Sequence, residues 1–262
     1  MKLHDFARRK NTAKITVLTC YDYPSACSIA NTSLDCILVG DSVAMTVHGH
    51  TSTIMADMDM MVMHTAAVAR GLGKQFLIAD LPFLCHRESL SETMTNIKRL
   101  VQAGAHAVKI EGGDTHSCDT IAHIVTSGVP IIGHIGLTPQ SVLQLGGYKV
   151  QGRMDEQAEQ LLSQARQLEA AGCVALVLEC IPTALAKTIT NALKIPTIGI
   201  GAGSGTDGQV LVWHDFLGLY GDVNYRFVKQ FADGKSLFDE AIQRYTTEVQ
   251  EGQFPSLEHS FE

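Results

Sequence analysis

The sequence has no excess of basic residues, and its charged residues are few. Lysine and arginine together number 20 against 27 aspartates and glutamates, so the formal net charge is −7 and the pI is about 5.9. A nucleic-acid-binding protein normally carries a basic excess or a basic stripe, because phosphate contacts dominate its affinity. The composition therefore argues against nucleic acid as a partner.

The sequence also lacks paired cysteine motifs and long apolar segments. Its seven cysteines form no Cys-x-x-Cys pair, and an odd number in a long chain argues against a disulfide framework or a zinc site. No apolar run is long enough to cross a bilayer, and the first ten residues contain no apolar stretch typical of a signal peptide. We therefore expect a cytoplasmic protein with free thiols and no membrane contact.

The chain is long enough to bury a large core. Its 262 residues have a mass of 28.3 kDa, and 45% of them are hydrophobic. A folded monomer of this mass exposes roughly 11,000 Å² of the roughly 41,000 Å² that the extended chain exposes. Neither disulfides nor a structural metal are needed for stability. Because no linker, repeat or low-complexity stretch interrupts the sequence, we predict that residues 1–262 form a single domain.

Short apolar runs rich in β-branched residues alternate with segments of helical periodicity. The runs cover residues 15–19, 36–40, 76–79, 107–110, 130–133, 175–178, 196–200 and 209–213, and the clearest helical segments cover 91–103, 155–171 and 236–249. Continuous apolar runs are typical of strands that are covered on both faces. Eight such strands in about 250 residues predict an α/β fold, a single (β/α)8 TIM-type barrel. An open doubly wound sheet is the alternative that strand counting leaves open.

Polar side chains stand where five successive predicted strands end. These residues are Asp41, Ser42, Asp80, Lys109, Glu111, His134 and Glu179. In a parallel α/β fold the carboxyl ends of the strands carry the chemistry. One such residue is more often a cap or a surface residue, but residues from five strands that converge on one rim predict an active site.

The residue types at this rim favour oxygen chemistry with a divalent cation. Asp41, Asp80 and Glu111 form a hard oxygen site suited to Mg²⁺ rather than Zn²⁺. A 2-oxo acid can chelate Mg²⁺, which polarises its carbonyl and stabilises an enolate when the adjacent carbon loses a proton. We predict that Glu179 is the base that removes this proton. Lys109 and His134 would then hold the negative oxygens of the substrate.

Several weaker signals favour structural roles. The Gly-x-Gly-x-x-Gly pattern at 203–208 precedes an apolar run instead of a helix, so a tight turn is favoured over a phosphate site. His48, His50, Asp207 and the pair 214–215 are assigned to turns, caps or ion pairs, and the methionines between 55 and 63 to packing. The glycine-rich connections 41–57 and 136–153 are candidate lids.

At these same residues the sequence resembles the ketopantoate hydroxymethyltransferase family. The matching motifs are VGDS at 39–42, ADLPF at 79–83, VKIEGG at 108–113, GHIGLTPQSV at 133–142, GGYKVQG at 146–152, LEC at 178–180, IPTIGIGAG at 195–203 and DGQVLV at 207–212. They occur in order over essentially the whole chain. The chain departs from the usual family pattern at 43–45, at Met63 and at 85–86, and none of these positions is a candidate metal ligand or base.

The resemblance implies a (β/α) barrel that transfers a one-carbon unit from methylenetetrahydrofolate to 3-methyl-2-oxobutanoate, giving 2-dehydropantoate for pantothenate and coenzyme A synthesis. Asp41 and Asp80 resemble the direct Mg²⁺ ligands, and Glu111 resembles an acid that acts through water. Ser42, Lys109 and His134 are similar to residues that contact the keto acid together with the metal-binding aspartates, and Glu179 takes the place of the base. The resemblance also implies a homo-oligomer, commonly a decamer.

Two other hypotheses remain from the residues alone. One is a Mg²⁺-dependent lyase or mutase that acts on 2-oxo acids or phosphoenolpyruvate. The other is a binding or assembly protein without catalytic activity.

Overall fold

The structure is a computed structural model that describes residues 1–221 and 225–261. The chain forms two compact units, Met1–Val212 and Trp213–Glu262. That residues 1–262 act as one domain stays a prediction. The first unit contains the strands, which are β1 (Ile15–Thr19), β2 (Cys36–Val39), β3 (Phe76–Asp80), β4 (Ala107–Glu111), β5 (Ile131–Gly136), β6 (Ala175–Glu179), β7 (Thr197–Ile200) and β8 (Gly208–Leu211).

Helices separate most of these strands. In the first unit they are α1 (Leu3–Arg9), α2 (Tyr23–Ala30), α3 (Val43–Thr46), α4 (Met58–Gly71), α5 (Leu90–Gln102), α6 (Thr115–Thr126), α7 (Val142–Leu145), α8 (Asp155–Ala170) and α9 (Thr183–Ala192), with 3-10 turns at Thr53–Met55 and Pro139–Ser141. The second unit contains α10 (Trp213–Leu217), α11 (Gly234–Gln250) and a 3-10 turn at Leu257–His259. The three predicted helical segments correspond to α5, α8 and α11.

The strands form a closed parallel barrel in chain order. Each strand pairs with its neighbours in the sequence, and β8 closes the ring by pairing in parallel with β1, where Val17 lies opposite Val210. This closure confirms the (β/α)8 TIM-type barrel and excludes the open doubly wound sheet. One boundary differs from the prediction, because Trp213 begins α10 instead of ending the last strand.

Apolar side chains from alternate strand positions fill the barrel below the carboxyl ends. Val17, Leu38, Ile78 and Val177 belong to this buried cluster, as does Phe6 from α1. The ring of Phe6 packs edge-on against Phe76 with the ring centroids 5.2 Å apart, so α1 joins the core near the start of β3. Because successive strand residues point to opposite faces, the same alternation decides which side chains enter the barrel at its other end.

Short polar side chains begin the helices that follow the strands. Asp22, Asp57, Ser89 and Asp114 each accept a hydrogen bond from a backbone N–H in the first turn of α2, α4, α5 and α6, respectively. These caps satisfy backbone donors that have no partner inside the helix. Each chain segment is thereby turned from a strand end, or from the loop after it, into the covering helix.

Two further predictions can be compared with the described residues. Met58 and Met61 of α4 are buried, whereas Met55 and Met63 are exposed, so the methionine-rich stretch contributes only part of its side chains to the core. Among the residues that the structure describes, no helix is long and apolar enough to span a membrane.

Candidate active site

The candidate site lies where the inward-facing residues of the strands change from mostly apolar to charged. The inward series are Phe76, Ile78 and Asp80 in β3; Ala107, Lys109 and Glu111 in β4; and Ala175, Val177 and Glu179 in β6. The strand register places Asp80 beside Lys109, Glu111 beside His134 and Glu179 beside Gly136. The barrel therefore brings the predicted strand-end residues to one rim.

Asp41, in the turn after β2, lies beside Asp80, the last residue of β3. The backbone N–H of Asp41 donates a hydrogen bond to Asp80 Oδ2 at 3.0 Å, and both side chains are buried. Gly40 makes room for this turn, because a Cβ atom there would lie only 2.7 Å from Ser42 Oγ. The two aspartates thus come from neighbouring strands and occupy one corner of the rim.

Lys109 lies among the acidic groups of the rim. Its Nζ atom is 3.0 Å from Asp80 Oδ1, 3.6 Å from Glu111 Oε1 and 3.2 Å from His134 Nδ1. His134 Nδ1 is also 3.3 Å from Glu111 Oε1. All four side chains are buried, so water screens these charges little and each must find its partner inside the cluster.

The three acids of the cluster differ in the direction of their pKa shifts. Burial, and then the negative charges of Asp80 and Glu111, raise the pKa of Asp41 well above its usual range. Burial would raise the pKa of Glu111, but His134 and Lys109 lower it overall. Burial also raises the pKa of Asp80, with Lys109 opposing the shift. Positive charge is therefore concentrated around Glu111 and is lacking at Asp41.

Glu179 is the most accessible acid of the set. Its side chain is 17% exposed, and its Oε2 atom lies 3.3 Å from His134 Nε2. The main chain around it is held closely, because Leu137 N–H donates to the Glu179 carbonyl at 2.8 Å and Cys180 has a φ of 46°, which is rare for a residue with a side chain. Glu179 combines a fixed backbone with a carboxylate that a substrate can reach.

Sequence reasoning missed two residues that contact the predicted set. The Gln140 side chain donates to Asp41 Oδ2 at 2.9 Å, and Tyr21 Oη lies 2.7 Å from Ser42 Oγ. The strand-end rule could have found Tyr21, which lies two residues beyond Thr19 at the end of β1. Gln140 lies inside the motif at 133–142, but nothing in the sequence indicates which side chain it reaches.

The weaker sequence signals lead to structural contacts. Asp207 Oδ2 pairs with Lys10 Nζ at 2.8 Å and accepts from Thr197 N–H at 2.9 Å, where β7 begins, so it lies at the opposite end of the barrel. His48 Nε2 lies 2.9 Å from His64 Nε2, and His64 Nδ1 lies 2.5 Å from the Tyr21 carbonyl oxygen. These residues hold loops and strand starts and do not join the candidate site.

The donor set at the rim fits a hard divalent cation. Within residues 1–221 and 225–261, no three His, Cys, Asp or Glu side chains are arranged as a complete metal cage. Mg²⁺ does not require one, since it usually binds through one or two carboxylates and completes its shell with water and substrate. Asp41 and Asp80 could supply these carboxylates, and a cation would provide the positive charge that is lacking at Asp41.

A cavity of about 870 Å³ opens beside Glu111. Its walls combine apolar side chains, among them Phe83 and Leu161, with amide side chains such as Gln164. His86 also lines it, and its buried Nε2 atom has no hydrogen-bond partner among the described residues. Burial lowers the pKa of His86 to about 4, so the ring is neutral near pH 7.

Solved structures resemble this chain in fold. A phosphonopyruvate hydrolase matches with a TM-score of 0.66 at 11% sequence identity, over 100% of this chain and 92% of that one. A 2,3-dimethylmalate lyase, a member of the PEP mutase/isocitrate lyase superfamily, matches with a TM-score of 0.62 at 16% identity, over 97% and 89%. At these identities the likeness establishes the barrel fold alone.

Sequence comparisons give a closer relationship. The model of the family described as ketopantoate hydroxymethyltransferase matches residues 1–257. A 3-methyl-2-oxobutanoate hydroxymethyltransferase of Legionella pneumophila (strain Corby) is 64% identical over 262 residues, which is all of both chains. Those of Francisella tularensis subsp. tularensis (strain SCHU S4) and Coxiella burnetii (strain CbuK_Q154) are 51% and 48% identical, each over 98% of this chain and 97% of the relative. The chain therefore belongs to the ketopantoate hydroxymethyltransferase family and is a hydroxymethyltransferase of pantothenate biosynthesis.

Proposed function

We propose that this protein transfers a hydroxymethyl group from methylenetetrahydrofolate to 3-methyl-2-oxobutanoate, giving 2-dehydropantoate by an Mg²⁺-assisted enolate mechanism. The single observation that carries the proposal is the buried cluster of Asp41, Asp80, Lys109, Glu111 and His134, with the accessible acid Glu179 at its edge. Overall, the keto acid loses one C–H proton and gains one carbon from the donor, water supplies the hydroxyl oxygen, and tetrahydrofolate is released.

Asp41 and Asp80 would hold the cation directly, and Glu111 through a water molecule. When bound there, Mg²⁺ polarises the 2-oxo group and so stabilises negative charge on its oxygen. Asp41 is suited to this role because its neighbours leave it short of positive charge. Asp80 is held by Lys109 Nζ and by the Asp41 backbone N–H, and these contacts do not depend on the cation.

Lys109, His134 and Ser42 would bind the oxygens of the keto acid. The carboxylates of Asp80 and Glu111 keep Lys109 protonated, raising its pKa although burial opposes this. Lys109 can therefore hold an anionic oxygen without losing its proton. Ser42 is oriented by Tyr21, whose Oη lies 2.7 Å from Ser42 Oγ.

Glu179 would remove the proton from the carbon next to the 2-oxo group. A base must lie within hydrogen-bond reach of the proton that it takes. Glu179 is on a different strand from the aspartates, and its carboxylate contacts His134 while remaining 17% exposed. This contact with His134 would orient the carboxylate toward the substrate.

The one-carbon donor would enter through the cavity beside Glu111. Apolar and amide side chains in its walls suit a flat heterocycle that carries hydrogen-bonding groups at its edge. His86 offers one buried nitrogen without a partner among the residues that the structure describes. Because Glu111 lines this cavity, a donor bound in it would lie next to the keto acid.

Deuterium exchange tests the first chemical step. The protein is incubated in D₂O with Mg²⁺ and 3-methyl-2-oxobutanoate without folate, and loss of the C3–H signal is followed by proton NMR. We expect exchange that stops when the metal is chelated. No exchange by protein that calorimetry shows to bind both Mg²⁺ and keto acid would contradict the proposal.

Product analysis distinguishes this proposal from the lyase or mutase hypothesis. We expect 2-dehydropantoate only when methylenetetrahydrofolate is added. Cleavage or rearrangement of a 2-oxo acid without the donor would favour a lyase or mutase instead. Binding of keto acid that does not depend on Mg²⁺, without any turnover, would favour a protein without catalytic activity.

We also propose that the protein forms a homo-oligomer, for which a decamer is the arrangement expected from the family. On α11, Phe238, Ile242, Tyr245 and Val249 are exposed and recur at helical spacing, so they form one apolar stripe. Light scattering should show an assembly that Ile242→Glu weakens and that Gln243→Glu, at an exposed position off the stripe, leaves intact. A monomer at working concentration would contradict this proposal.

The protein is proposed to work in the cytoplasm. All seven cysteines are unpaired, and burial raises the pKa of thiols such as those of Cys20 and Cys85 to about 11. Thiols that remain protonated and unpaired are compatible with a reducing compartment.

A further inference from the structure

Gln140 connects the ends of three strands through one residue. Its Nε2 atom donates to Asp41 Oδ2 at 2.9 Å and to the Leu81 carbonyl at 3.0 Å, and its backbone N–H donates to Glu111 Oε2 at 3.0 Å. Gln140 is 5% exposed, so these bonds form away from bulk water. The residue therefore contacts two of the three acids proposed to bind the cation.

An amide is well suited to this position. It offers two N–H donors, and both are used, one on the Asp41 carboxylate and one on a main-chain carbonyl. Occupying Oδ2 of Asp41 fixes the orientation of the carboxylate and so determines where Oδ1 lies. Because the amide is neutral, it orients Asp41 without supplying the positive charge that a lysine would bring.

The segment that carries Gln140 is partly buried and partly exposed. We call residues 137–154, which join β5 to α8, the β5–α8 connection. Gly136 just before it and Gly146 within it have φ values of 99° and 68°, in the left-handed region that favours glycine. Leu137, Thr138 and Gln140 are buried, whereas Leu143 is 82% exposed, so Gln140 is the last buried residue before the exposed part of this segment.

We propose that Gln140 is a positioning residue that orients Asp41 and Glu111 for the cation and thereby couples cation binding to the ordering of the β5–α8 connection. This inference rests on the proposed function, since it assumes that Asp41 and Glu111 serve an ion. Groups that hold metal ligands in place are important for affinity, and their loss typically weakens binding by about 10- to 100-fold.

Metal affinity provides the main test. Gln140→Met keeps the length of the side chain and removes both donors, and Gln167→Met makes the same change at an exposed position on α8. Calorimetric titration with Mg²⁺ alone should give a dissociation constant about 10- to 100-fold weaker for Gln140→Met and unchanged for Gln167→Met. If Gln140→Met does not fold, Gln140→Asn takes its place, because it retains the amide but is one methylene too short to reach both acceptors.

Hydrogen exchange of the β5–α8 connection provides the second readout. In the unsubstituted protein, Mg²⁺ should slow backbone exchange within residues 137–145, and in Gln140→Met it should not. Equal Mg²⁺ affinity and equal protection in Gln140→Met would overturn the inference while leaving the proposed function intact. Failure of the unsubstituted protein to bind Mg²⁺ would instead overturn the proposed metal chemistry, and the inference with it.

Discussion

His134 Nε2 lies 3.3 Å from Glu179 Oε2, while Nδ1 of the same ring lies 3.3 Å from Glu111 Oε1. One imidazole thus bridges the acid proposed as the base and an acid of the proposed metal site. A protonated ring can donate to both acids, whereas a neutral ring can donate to only one. The protonation state of His134 therefore affects both halves of the site together.

The pH dependence of stability follows from this bridge. Burial and Lys109 lower the pKa of His134, but Glu111 and Glu179 outweigh them and raise it to about 9 from 6.5. A raised folded-state pKa stabilises the protein fully below pH 6.5, and this contribution disappears as the pH rises through 9. We expect the free energy of unfolding, measured in urea, to fall by at most ~3 kcal/mol across this window.

The variant His134→Asn isolates this contribution. Because asparagine does not titrate, the variant should have lower stability near pH 6 and a flatter dependence between pH 6.5 and pH 9. An unchanged pH profile in the variant would show that His134 does not carry the charge assigned to it.

Glu179→Gln tests the proposed base. Glutamine keeps the size and one oxygen of the side chain but cannot accept the proton, so deuterium exchange should fall by ~10²- to 10⁴-fold. Keto acid binding, followed by calorimetry, should persist. Glu169→Gln, which changes an acid on α8 that caps backbone N–H groups at 194 and 195, is the matched control and should retain exchange. Near-normal exchange in Glu179→Gln would assign the base elsewhere.

Tyr21→Phe tests the orientation of Ser42. The change removes the hydroxyl that lies 2.7 Å from Ser42 Oγ and leaves the ring in its buried position. Loss of one such hydrogen bond costs ~0.5–1.5 kcal/mol, so KM for the keto acid should rise about 2- to 10-fold with a smaller change in kcat. Tyr23→Phe, at a residue that is 50% exposed, should change neither value. A loss confined to kcat would contradict a role in binding.

Gly136→Ala tests the close contact between β5 and β6. A Cβ atom at Gly136 would lie 2.2 Å from the Glu179 carbonyl oxygen, so alanine must displace the end of β6. Gly128 has a similar φ, 97° against 99°, and a Cβ atom there meets no described atom within 4 Å. Gly128→Ala should therefore incur only the backbone strain, ~1 kcal/mol or more.

We expect Gly136→Ala to reduce stability further than Gly128→Ala does and to lower kcat, because Glu179 moves with its carbonyl. Thermal unfolding and steady-state kinetics on both variants give the comparison. Equal effects in the two variants would show that the contact has no influence on Glu179.

Much of the fold was predictable from the sequence because the barrel strands are buried on both faces. The apolar runs around residues 15–19 and 175–178 correspond closely to β1 (Ile15–Thr19) and β6 (Ala175–Glu179). The convergence of Asp80, Lys109 and Glu179 on one rim followed from the same pattern, since polar residues ended those strands. Their catalytic and binding roles stay predictions.

The contacts between strand ends and loops were not predictable in the same way. Gln140 meets Asp41 across 99 positions of the sequence, and it does so through a short turn whose path has no periodic signal. Tyr21 was missed for another reason, because the strand-end rule was not applied to β1. Its alternation with Val17 and Thr19 would have placed it on the inner face.

Because successive residues of β4 point to opposite faces, the site is sensitive to a one-residue shift in the register of this strand. Lys109 and Glu111 face inward only because they are two positions apart and in phase with Ala107. A single-residue insertion or deletion ahead of Lys109 in this strand would place Val108 and Ile110 on the inner face of the barrel. Lys109 and Glu111 would then point outward, toward the apolar side chains of the surrounding helices. Insertions and deletions should therefore be tolerated in the connecting loops of this protein but not in β4.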